Sequence, residues 1–452
     1  MSVEDENEEP LSPMARLFQS PGNDCCIITM IGCKTKINAD VILRALKLNV
    51  SKHPRFSSKL SDDGACWIKT QVNVENHVFV PDIDQNKISA GSDGWAGGAT
   101  ARGPIPVHQN VEPALNKIGE DGEGYVEDYV SRLTMLPLDK SRPLWDMHIL
   151  NVKTIDAEAV CVIRSHHSLG DGTSLMSLLI ACTQKTSHRD TFPTSHVLKQ
   201  RKTALKDKVP WFLRWVLAVF SLVRLICNTF VDILLLLATA LFLKDTNTPL
   251  KGDVGVENNQ KRFCHRIVSL DDIKLIKEVM NMTINDVLLG VTQAALSRYL
   301  NSFPGKIRLT AGVFVNLRSD NGIQAKSAID RKKHSLQAAL AYSATEFIFN
   351  TFSAKVGAIL PKRHISNTTT FISNLIGPME EINFLGHPIA YIAPSVYGHA
   401  HALTIHFLSY AEKMVISIGV DPTVIQNPHK LCDEMEDSLE AMKATLSERG
   451  LI

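Results

Sequence analysis

Runs of hydrophobic and polar residues predict that strands and helices are mixed along the whole chain. Short apolar, β-favouring runs indicate strands, and apolar residues spaced three to four apart indicate amphipathic helices. The predicted strands are residues 26–31, 144–150, 159–163, 313–317, 368–373 and 414–420. The predicted helices are residues 40–50, 173–180, 285–300 and 432–447. Both halves of the chain therefore predict an α/β fold.

The longest apolar run, residues 211–243, differs from this mixture. Residues 225–243 carry only one charged side chain, Asp232, and as a helix they would extend about 28 Å, close to the hydrocarbon thickness of a bilayer. The polar residues fall within an arc of roughly 80° on a helical projection. They are Arg214, Ser221, Arg224, Asn228, Asp232 and Thr239. This polar stripe predicts a helix or helix pair lying in the membrane interface. A single membrane span and the core helix of a soluble protein are the alternatives.

Composition excludes some functional classes. The chain has 452 residues, of which 44% are hydrophobic and 21% charged, as in a globular protein with more than one domain. A formal net charge of +1 provides no field for nucleic acid, so nucleic acid is not an expected partner. The nine cysteines lack metal-type spacing and predict reduced thiols facing a cytosolic environment. Residues 1–9 are acidic and polar, unlike a signal peptide.

Polar stretches suggest the domain boundaries. We expect a disordered N-terminus at residues 1–13, an N-terminal domain at 14–198, a basic linker with the apolar segment at 199–245, and a C-terminal domain at 246–452. Residues 84–121 form a glycine-rich loop of a length that is uncommon inside a compact domain. The basic residues that precede the apolar segment favour the anionic cytoplasmic leaflet of a membrane.

Residues 166–172, His-His-Ser-Leu-Gly-Asp-Gly, are the strongest candidate for chemistry. They follow the strand at residues 159–163, and Gly170 and Gly172 break regular structure around Asp171. An imidazole held at a strand end suits a general base for a hydroxyl group. The two histidines could instead be a structural pair, or His167 and Asp171 could bind a metal. The glycines argue against a helical turn there, and no third ligand is obvious.

Six further motifs occur in order along the chain. They are Pro-Leu-Ser-Pro-Met at residues 10–14, His-Pro-Arg-Phe-Ser-Ser at 53–58, Pro-Leu-Trp-Asp-Met-His at 143–148, Asn-Asp-Val-Leu at 285–288, Val-Asn-Leu-Arg at 315–318 and Ser-Asn-Leu-Ile-Gly-Pro at 373–378. With the heptapeptide, they resemble the plant-type bifunctional wax ester synthase/diacylglycerol acyltransferase family, within the CoA-dependent acyltransferase superfamily. The resemblance implies two related chloramphenicol-acetyltransferase-like α/β domains with the active-site channel between them. It also implies transfer of a long-chain fatty acyl group from acyl-CoA to a fatty alcohol or a diacylglycerol.

The resemblance also implies roles for individual residues. His167 is the general base, Asp171 fixes the turn by pairing with Arg318 or Arg164, and His166 is structural. Asn285 is a candidate donor to the oxyanion, with helix capping as the alternative. Gly172, Trp145 and Asn374 are assigned to the substrate-binding surface, although a core position is the more usual one for a tryptophan such as Trp145. No metal and no cofactor is expected, because acyl-CoA is a substrate. His399 and His401 alternate along a possible strand, but two ligands alone do not form a metal site.

The expected location is the cytosolic face of the endoplasmic reticulum membrane, with the plasma membrane as the alternative and membrane lipid as a partner. A single span would separate the two halves that form the channel, so the resemblance favours a helix lying on the membrane.

One departure from the family bears on activity: residues 320–324 directly join two segments that the family separates by at least a strand and a helix. A soluble acyltransferase acting on a polar acceptor and a non-catalytic lipid-binding paralogue are therefore the alternatives.

Overall fold

The computed structural model describes residues 8–20, 22–81, 122–170, 172, 174–176, 183–185, 211–313, 336, 340, 343–344, 347, 351 and 359–452. The helices of this part are α1 (Pro13–Phe18), α2 (Ala39–Asn49), α3 (Gly122–Leu133), α4 (Trp211–Leu241), α5 (Leu270–Val279), α6 (Ile284–Tyr299), α7 (Ile359–Ser366) and α8 (Pro428–Glu448). The strands are β1 (Glu8–Pro10), β2 (Cys26–Cys33), β3 (Ser58–Leu60), β4 (Cys66–Lys69), β5 (Val78–Phe79), β6 (Trp145–Leu150), β7 (Ala159–His166), β8 (Thr183–Lys185), β9 (Arg262–Ser269), β10 (Ala311–Val313), β11 (Thr370–Ile376), β12 (Ile382–Phe384), β13 (His387–Tyr397), β14 (Leu403–Tyr410) and β15 (Lys413–Val420).

Within the described residues the strands form three sheets. The first large sheet has the order β5-β6-β7-β2-β13-β12-β8, and the second has the order β10-β11-β14-β15-β9. A small sheet, β1-β4-β3, lies beside them. Helix α3 packs on one face of the first sheet and α2 on the other, whereas α5, α6 and α8 cover one face of the second sheet. The mixed α/β fold class is therefore confirmed.

Most elements that the hydrophobic pattern predicted are observed. Strands lie at β2, β6, β7, β11 and β15, and helices at α2, α6 and α8, with ends that differ by a few residues. The capping signals explain where two helices begin: Ser269 accepts a hydrogen bond from the backbone of Asp272, and Thr283 forms a capping box with Asp286. The predicted elements at 173–180 and 313–317 lie only partly within the described residues. The glycine-rich loop and most of the basic linker lie outside them.

The N-terminus differs from its prediction. Residues 8–10, expected to be disordered, form β1, which pairs with β4 so that Glu9 lies opposite Trp67. Arg55 forms an ion pair with Glu9, and α1 begins at Pro13. Main-chain pairing with a neighbouring strand satisfies the backbone donors and acceptors that would otherwise keep so polar a segment in water.

Strand β13 connects the two halves of the chain. It lies beside β2 in the first sheet, although residues 387–397 belong to the second half of the sequence. Its partner along the chain, β14, returns to the second sheet. Membership of a sheet therefore does not follow the expected division near residue 246. The consequence for function is that residues from both halves lie next to the end of β7.

The apolar segment is one helix, α4, of 31 residues. Its residues Trp215–Leu241 are long and apolar enough to cross a membrane by length and composition, and few of them are buried inside the protein. Thr229, Asp232 and Thr239 are buried against the body of the protein, where Asn367 donates a hydrogen bond to the carbonyl of Thr239. The alternative of a core helix is wrong, because most of its large apolar side chains are exposed.

Candidate active site

The heptapeptide begins where β7 ends. His166 is the last residue of β7, and His167 to Leu169 form a single 3-10 turn. The backbone N–H of His166 donates to the carbonyl of Leu144, and that of His167 donates to the carbonyl of Cys25. The turn is therefore held on both sides by neighbouring chain segments. This arrangement confirms that the histidines lie where a strand runs into a turn.

His166 is buried, and both of its ring nitrogens are hydrogen-bonded. Its Nδ1 accepts hydrogen bonds from the backbone N–H of Ser168 at 3.2 Å and from the side-chain amide of Gln19 at 3.1 Å. Its Nε2–H therefore points to the Asp24 carboxylate, 2.9 Å away. Burial raises the pKa of Asp24, but the hydrogen bond from His166 and the nearby Lys140 ammonium outweigh burial, so that this pKa lies below its usual value. His166 thus fixes the turn to the segment before β2.

His167 is only half-buried, in contrast to its neighbour. Its ring stacks on Phe18, with centroids 4.1 Å apart and an interplanar angle of 22°. Phe18 is the last residue of α1, and Ser12 caps that helix by accepting a hydrogen bond from the backbone of Ala15. The motif at residues 10–14 therefore has a structural role. It begins the short helix α1, which places Phe18 against the ring of His167.

The motif at residues 143–148 builds the support beneath the turn. Trp145 is buried, donates its indole N–H to the carbonyl of Phe56 at 3.0 Å and stacks on His77. These contacts are those of a core residue, and its substrate-binding role stays a prediction. Asp146 forms a bidentate ion pair with Arg164. Burial raises the pKa of Asp146, but Arg164 and His148 outweigh burial and hold it well below its usual range.

The Asp146–Arg164 ion pair bears on which arginine can be the partner of Asp171. Of the two arginines considered as its partner, Arg164 forms its bidentate pair with Asp146 and also donates to the carbonyls of Leu133 and Leu136. Asp171 and Arg318 lie outside the described residues. Their expected pairing stays a prediction.

Gly172 brings the heptapeptide against the second half of the chain. A Cβ placed on Gly172 would lie 3.1 Å from Cδ1 of Leu375, so the absence of a side chain permits close contact with β11. The neighbouring residue on β11, Asn374, donates a hydrogen bond to Asn285 Oδ1 at 2.6 Å. Successive side chains of a strand point to opposite faces. The structure therefore brings Asn285 and Asn374 together, but on the face of β11 opposite to Leu375.

Asn285 does not cap its helix. Thr283 occupies the cap position of α6, so the alternative explanation for Asn285 is wrong. Its Oδ1 is occupied by Asn374. Its role as an oxyanion donor stays a prediction.

The histidines near residue 400 are placed differently from expectation. His399 and His401 lie in the bend between β13 and β14, not along a strand. Both are buried, and His401 shares a hydrogen bond with the Thr368 hydroxyl at 2.9 Å. His406, which is buried on β14, was not predicted as a site residue. Its spacing of two residues from Thr404 and from Leu408, typical of one face of a strand, was the signal in the sequence that could have indicated it.

One group of side chains in the described residues could hold a metal ion. Glu127, Cys264 and His429 place their ligand atoms within 4.8 Å of one another. The Glu127 carboxylate, however, already accepts hydrogen bonds from Arg262 at 2.9 Å and His429 at 3.2 Å. The Arg262 guanidinium can neutralise this buried carboxylate without a metal, and the hydrogen bond with Glu127 raises the pKa of His429. The eight described cysteines are free thiols.

Comparisons with known proteins agree on one family. The model of the wax ester synthase/diacylglycerol acyltransferase catalytic domain matches residues 119–288, and that of the WS/DGAT C-terminal domain matches residues 323–443. "Wax ester synthase/diacylglycerol acyltransferase 7" of Arabidopsis thaliana is 51% identical over 505 aligned residues, with 98% of this chain and 99% of that protein covered. Number 10 of the same Arabidopsis series is 53% identical over 513 residues, with 99% of each protein covered.

A solved structure supports the fold. The wax ester synthase/diacylglycerol acyltransferase from Marinobacter aquaeolei VT8 superposes with a TM-score of 0.53 at 17% identity, covering 97% of this chain and all of that one. The alignment to the first Arabidopsis relative spans 505 positions, more than the 452 residues of this chain. Part of that relative therefore has no counterpart here.

Proposed function

Because the chain belongs to the wax ester synthase/diacylglycerol acyltransferase family and is an acyltransferase of that activity, we propose that His167 is its general base. The contrast between the two histidines carries this assignment. His166 is buried with both ring nitrogens hydrogen-bonded, whereas His167 is half-buried at the strand end. A base must come within hydrogen-bond reach of the proton that it removes, so the accessible ring suits the role.

In the proposed reaction acyl-CoA supplies a long-chain acyl group to a fatty alcohol or a diacylglycerol. His167 accepts the hydroxyl proton as the acceptor oxygen attacks the thioester carbonyl carbon, and the C=O π electrons move to the carbonyl oxygen. When the tetrahedral intermediate collapses, the C=O bond re-forms and the C–S bond breaks. The CoA thiolate then takes the proton from the imidazolium. The products are an ester and free CoA.

The direct test supplies membranes that contain the full chain with acyl-labelled long-chain acyl-CoA and either acceptor. We expect labelled wax ester or triacylglycerol, and we expect His167→Ala to lower its rate of formation by about 10²–10⁴. His387→Ala is the matched control, because His387 is a partly exposed histidine of the β12–β13 hairpin. Ester formation that survives His167→Ala unchanged would show that another group is the base.

The proposed location is the cytosolic face of the endoplasmic reticulum membrane, with α4 lying in the interface. Exposed apolar side chains on α4 support this proposal, as do its buried Asp232 and Thr239, which face the protein. An interfacial helix with this division of faces binds lipid in proportion to its apolar area. The first sheet, which combines β13 with strands from the first half of the chain, supports a location of both halves on one side of the membrane.

Topology can be tested with a tag at each terminus in sealed microsomes. We expect a protease added outside to remove both tags, because neither half crosses the bilayer. Protection of one tag would instead support a single span. Recovery of the whole protein in the soluble fraction would support the soluble alternative.

The non-catalytic alternative rests on a different observation. Relatives have aligned positions that are absent from this chain, and the junction at residues 320–324 is the expected place. The same labelled-ester assay decides it, since a scaffold that only binds lipid would form no ester with either acceptor.

A further inference from the structure

One face of the second sheet points toward the first sheet and the heptapeptide. On β14, the Thr404 hydroxyl lies 3.5 Å from the Ser395 hydroxyl of β13, and Leu408 belongs to the apolar cluster under the first sheet. Because alternate residues of a strand share a face, His406 must point the same way between them. On β11, Leu375 lies on this face and contacts Gly172. His406 is therefore directed into the region between the sheets.

Nδ1 of His406 and Oγ of Ser417 are buried on this face and have no hydrogen-bond partner among the described residues. A third such atom, Nε2 of the neighbouring His265, lies 3.6 Å from the Asp156 carboxylate. His406 and Ser417 are directly opposite each other in the β14–β15 ladder, so the two atoms are neighbours on this face. Buried polar groups in native proteins are nearly always hydrogen-bonded, so a pair of this kind calls for a polar group supplied by a ligand.

We propose that His406, with Ser417 beside it, binds the thioester carbonyl oxygen of the acyl donor and stabilises the oxyanion that forms when the acceptor attacks. The inference rests on the proposed role of His167 as the base. Donors that are already aimed at the place where negative charge develops stabilise a transition state without reorganisation. The heptapeptide approaches β11, the neighbour of β14 in the second sheet, through Gly172 and Leu375, so base and donor come from different halves of the chain.

The protonation state of His406 suits this role. Burial, together with a smaller effect of the nearby His167 when that ring is charged, lowers the pKa of His406 to about 4. The ring is therefore neutral near pH 7 and carries one N–H donor. A neutral imidazole can donate to an oxyanion without adding a positive charge that would oppose protonation of His167.

Kinetics of three substitutions test the proposal. His406→Leu should lower kcat by about 10²–10³ with little change in KM, as for loss of one oxyanion donor. His406→Asn should restore part of kcat, because its amide nitrogen can occupy the position of Nδ1. Thr404→Val is the matched control: it removes a buried hydroxyl from the same face of the same strand, two residues away, and should leave kcat unchanged.

A spectroscopic measurement separates this inference from the assignment of the base. Acyl-CoA labelled with ¹³C at the thioester carbonyl is bound to His167→Ala, and its infrared C=O band is compared with that in His167→Ala/His406→Leu. We expect the band to lie at lower frequency when His406 is present. An unchanged band, or a His406→Leu enzyme that keeps most of its kcat, would overturn the inference while leaving His167 as the base. Activity that survives His167→Ala would instead overturn the proposed base.

Discussion

Replacing the exposed aromatic residues of α4 should release the protein from membranes. Phe212, Trp215 and Phe220 are 63%, 68% and 66% exposed, and they line one apolar groove on the helix. Burying a large apolar side chain completely contributes about 1.5–3 kcal/mol. With two-thirds of each side chain exposed, the remaining gain is about 1–2 kcal/mol each, or about 3–6 kcal/mol for three. The Phe212→Ser/Trp215→Ser/Phe220→Ser variant should therefore bind lipid about 10²–10⁴ times more weakly.

The assay is flotation with liposomes over a series of lipid concentrations. The control replaces three scattered apolar residues of comparable exposure, Leu48 at 71%, Ile155 at 85% and Val254 at 105%, by serine. Because these residues are not on α4, the control variant should float as the wild type does. Both variants alter exposed side chains only, so circular dichroism and thermal unfolding should be unchanged.

Two results would refute this reasoning. If the α4 variant floats at the same lipid concentration as the wild type, another surface anchors the protein. If the control variant is released to the same extent, binding depends on total exposed apolar area and not on α4.

The remaining predictions concern the heptapeptide and the contact between the halves. His167→Ala should lower kcat by about 10²–10⁴ and leave the unfolding midpoint unchanged. His166→Ala should instead lower the free energy of unfolding by about 1–3 kcal/mol, because polar partners of its ring are left unpaired; equal losses of activity in two normally folded variants would contradict these roles. Gly172→Ala should lower that free energy by about 1–3 kcal/mol through overpacking against Leu375, and adding Leu375→Ala should recover part of it; additive effects would contradict the contact. The hydrogen bond with Glu127 raises the pKa of His429 above 6.5, so its contribution is complete below that pH and is lost as pH rises through the raised pKa. Denaturant unfolding should therefore show a larger difference between wild type and His429→Gln at pH 6 than at pH 8, and a constant difference would contradict the assignment.

The turn at residues 166–172 could be predicted because its signals are local. An apolar run ends at Ile163, and two glycines follow within nine residues. What holds the turn is not local: Gln19 and Asp24 reach His166 from the segment before β2, and Phe18 reaches His167 from α1. A single sequence identifies these residue types but does not give the long-range contacts that separate the structural histidine from the accessible one.

Strands β13 and β14 were not predicted, for physical reasons that can be named. Strand β13 contains Pro388 and Pro394, and a proline within a run argues against a central strand because it lacks a backbone donor. Pro394 nevertheless lies opposite Thr29 within the β13–β2 ladder. In β14, Thr404 and His406 interrupt the apolar pattern, since they face the region between the two sheets. One of these two polar residues, His406, is the residue for which we infer a role in catalysis.

Helix α4 shows what the spacing of polar residues in the sequence can and cannot predict about the surface of a helix. The helical projection placed six polar residues on one arc. This arrangement follows from the sequence and the helical repeat alone, so it does not indicate whether the arc faces protein, lipid headgroups or water. In the structure the arc divides along its length: Asp232 and Thr239 are buried against the protein, whereas Ser221 and Arg224 are exposed. The helix is therefore attached to the body by its C-terminal half, while its N-terminal half presents apolar and polar residues alike. In the proposed interfacial arrangement, Ser221 and Arg224 would face lipid headgroups, and the buried end would fix the angle at which the helix meets the membrane.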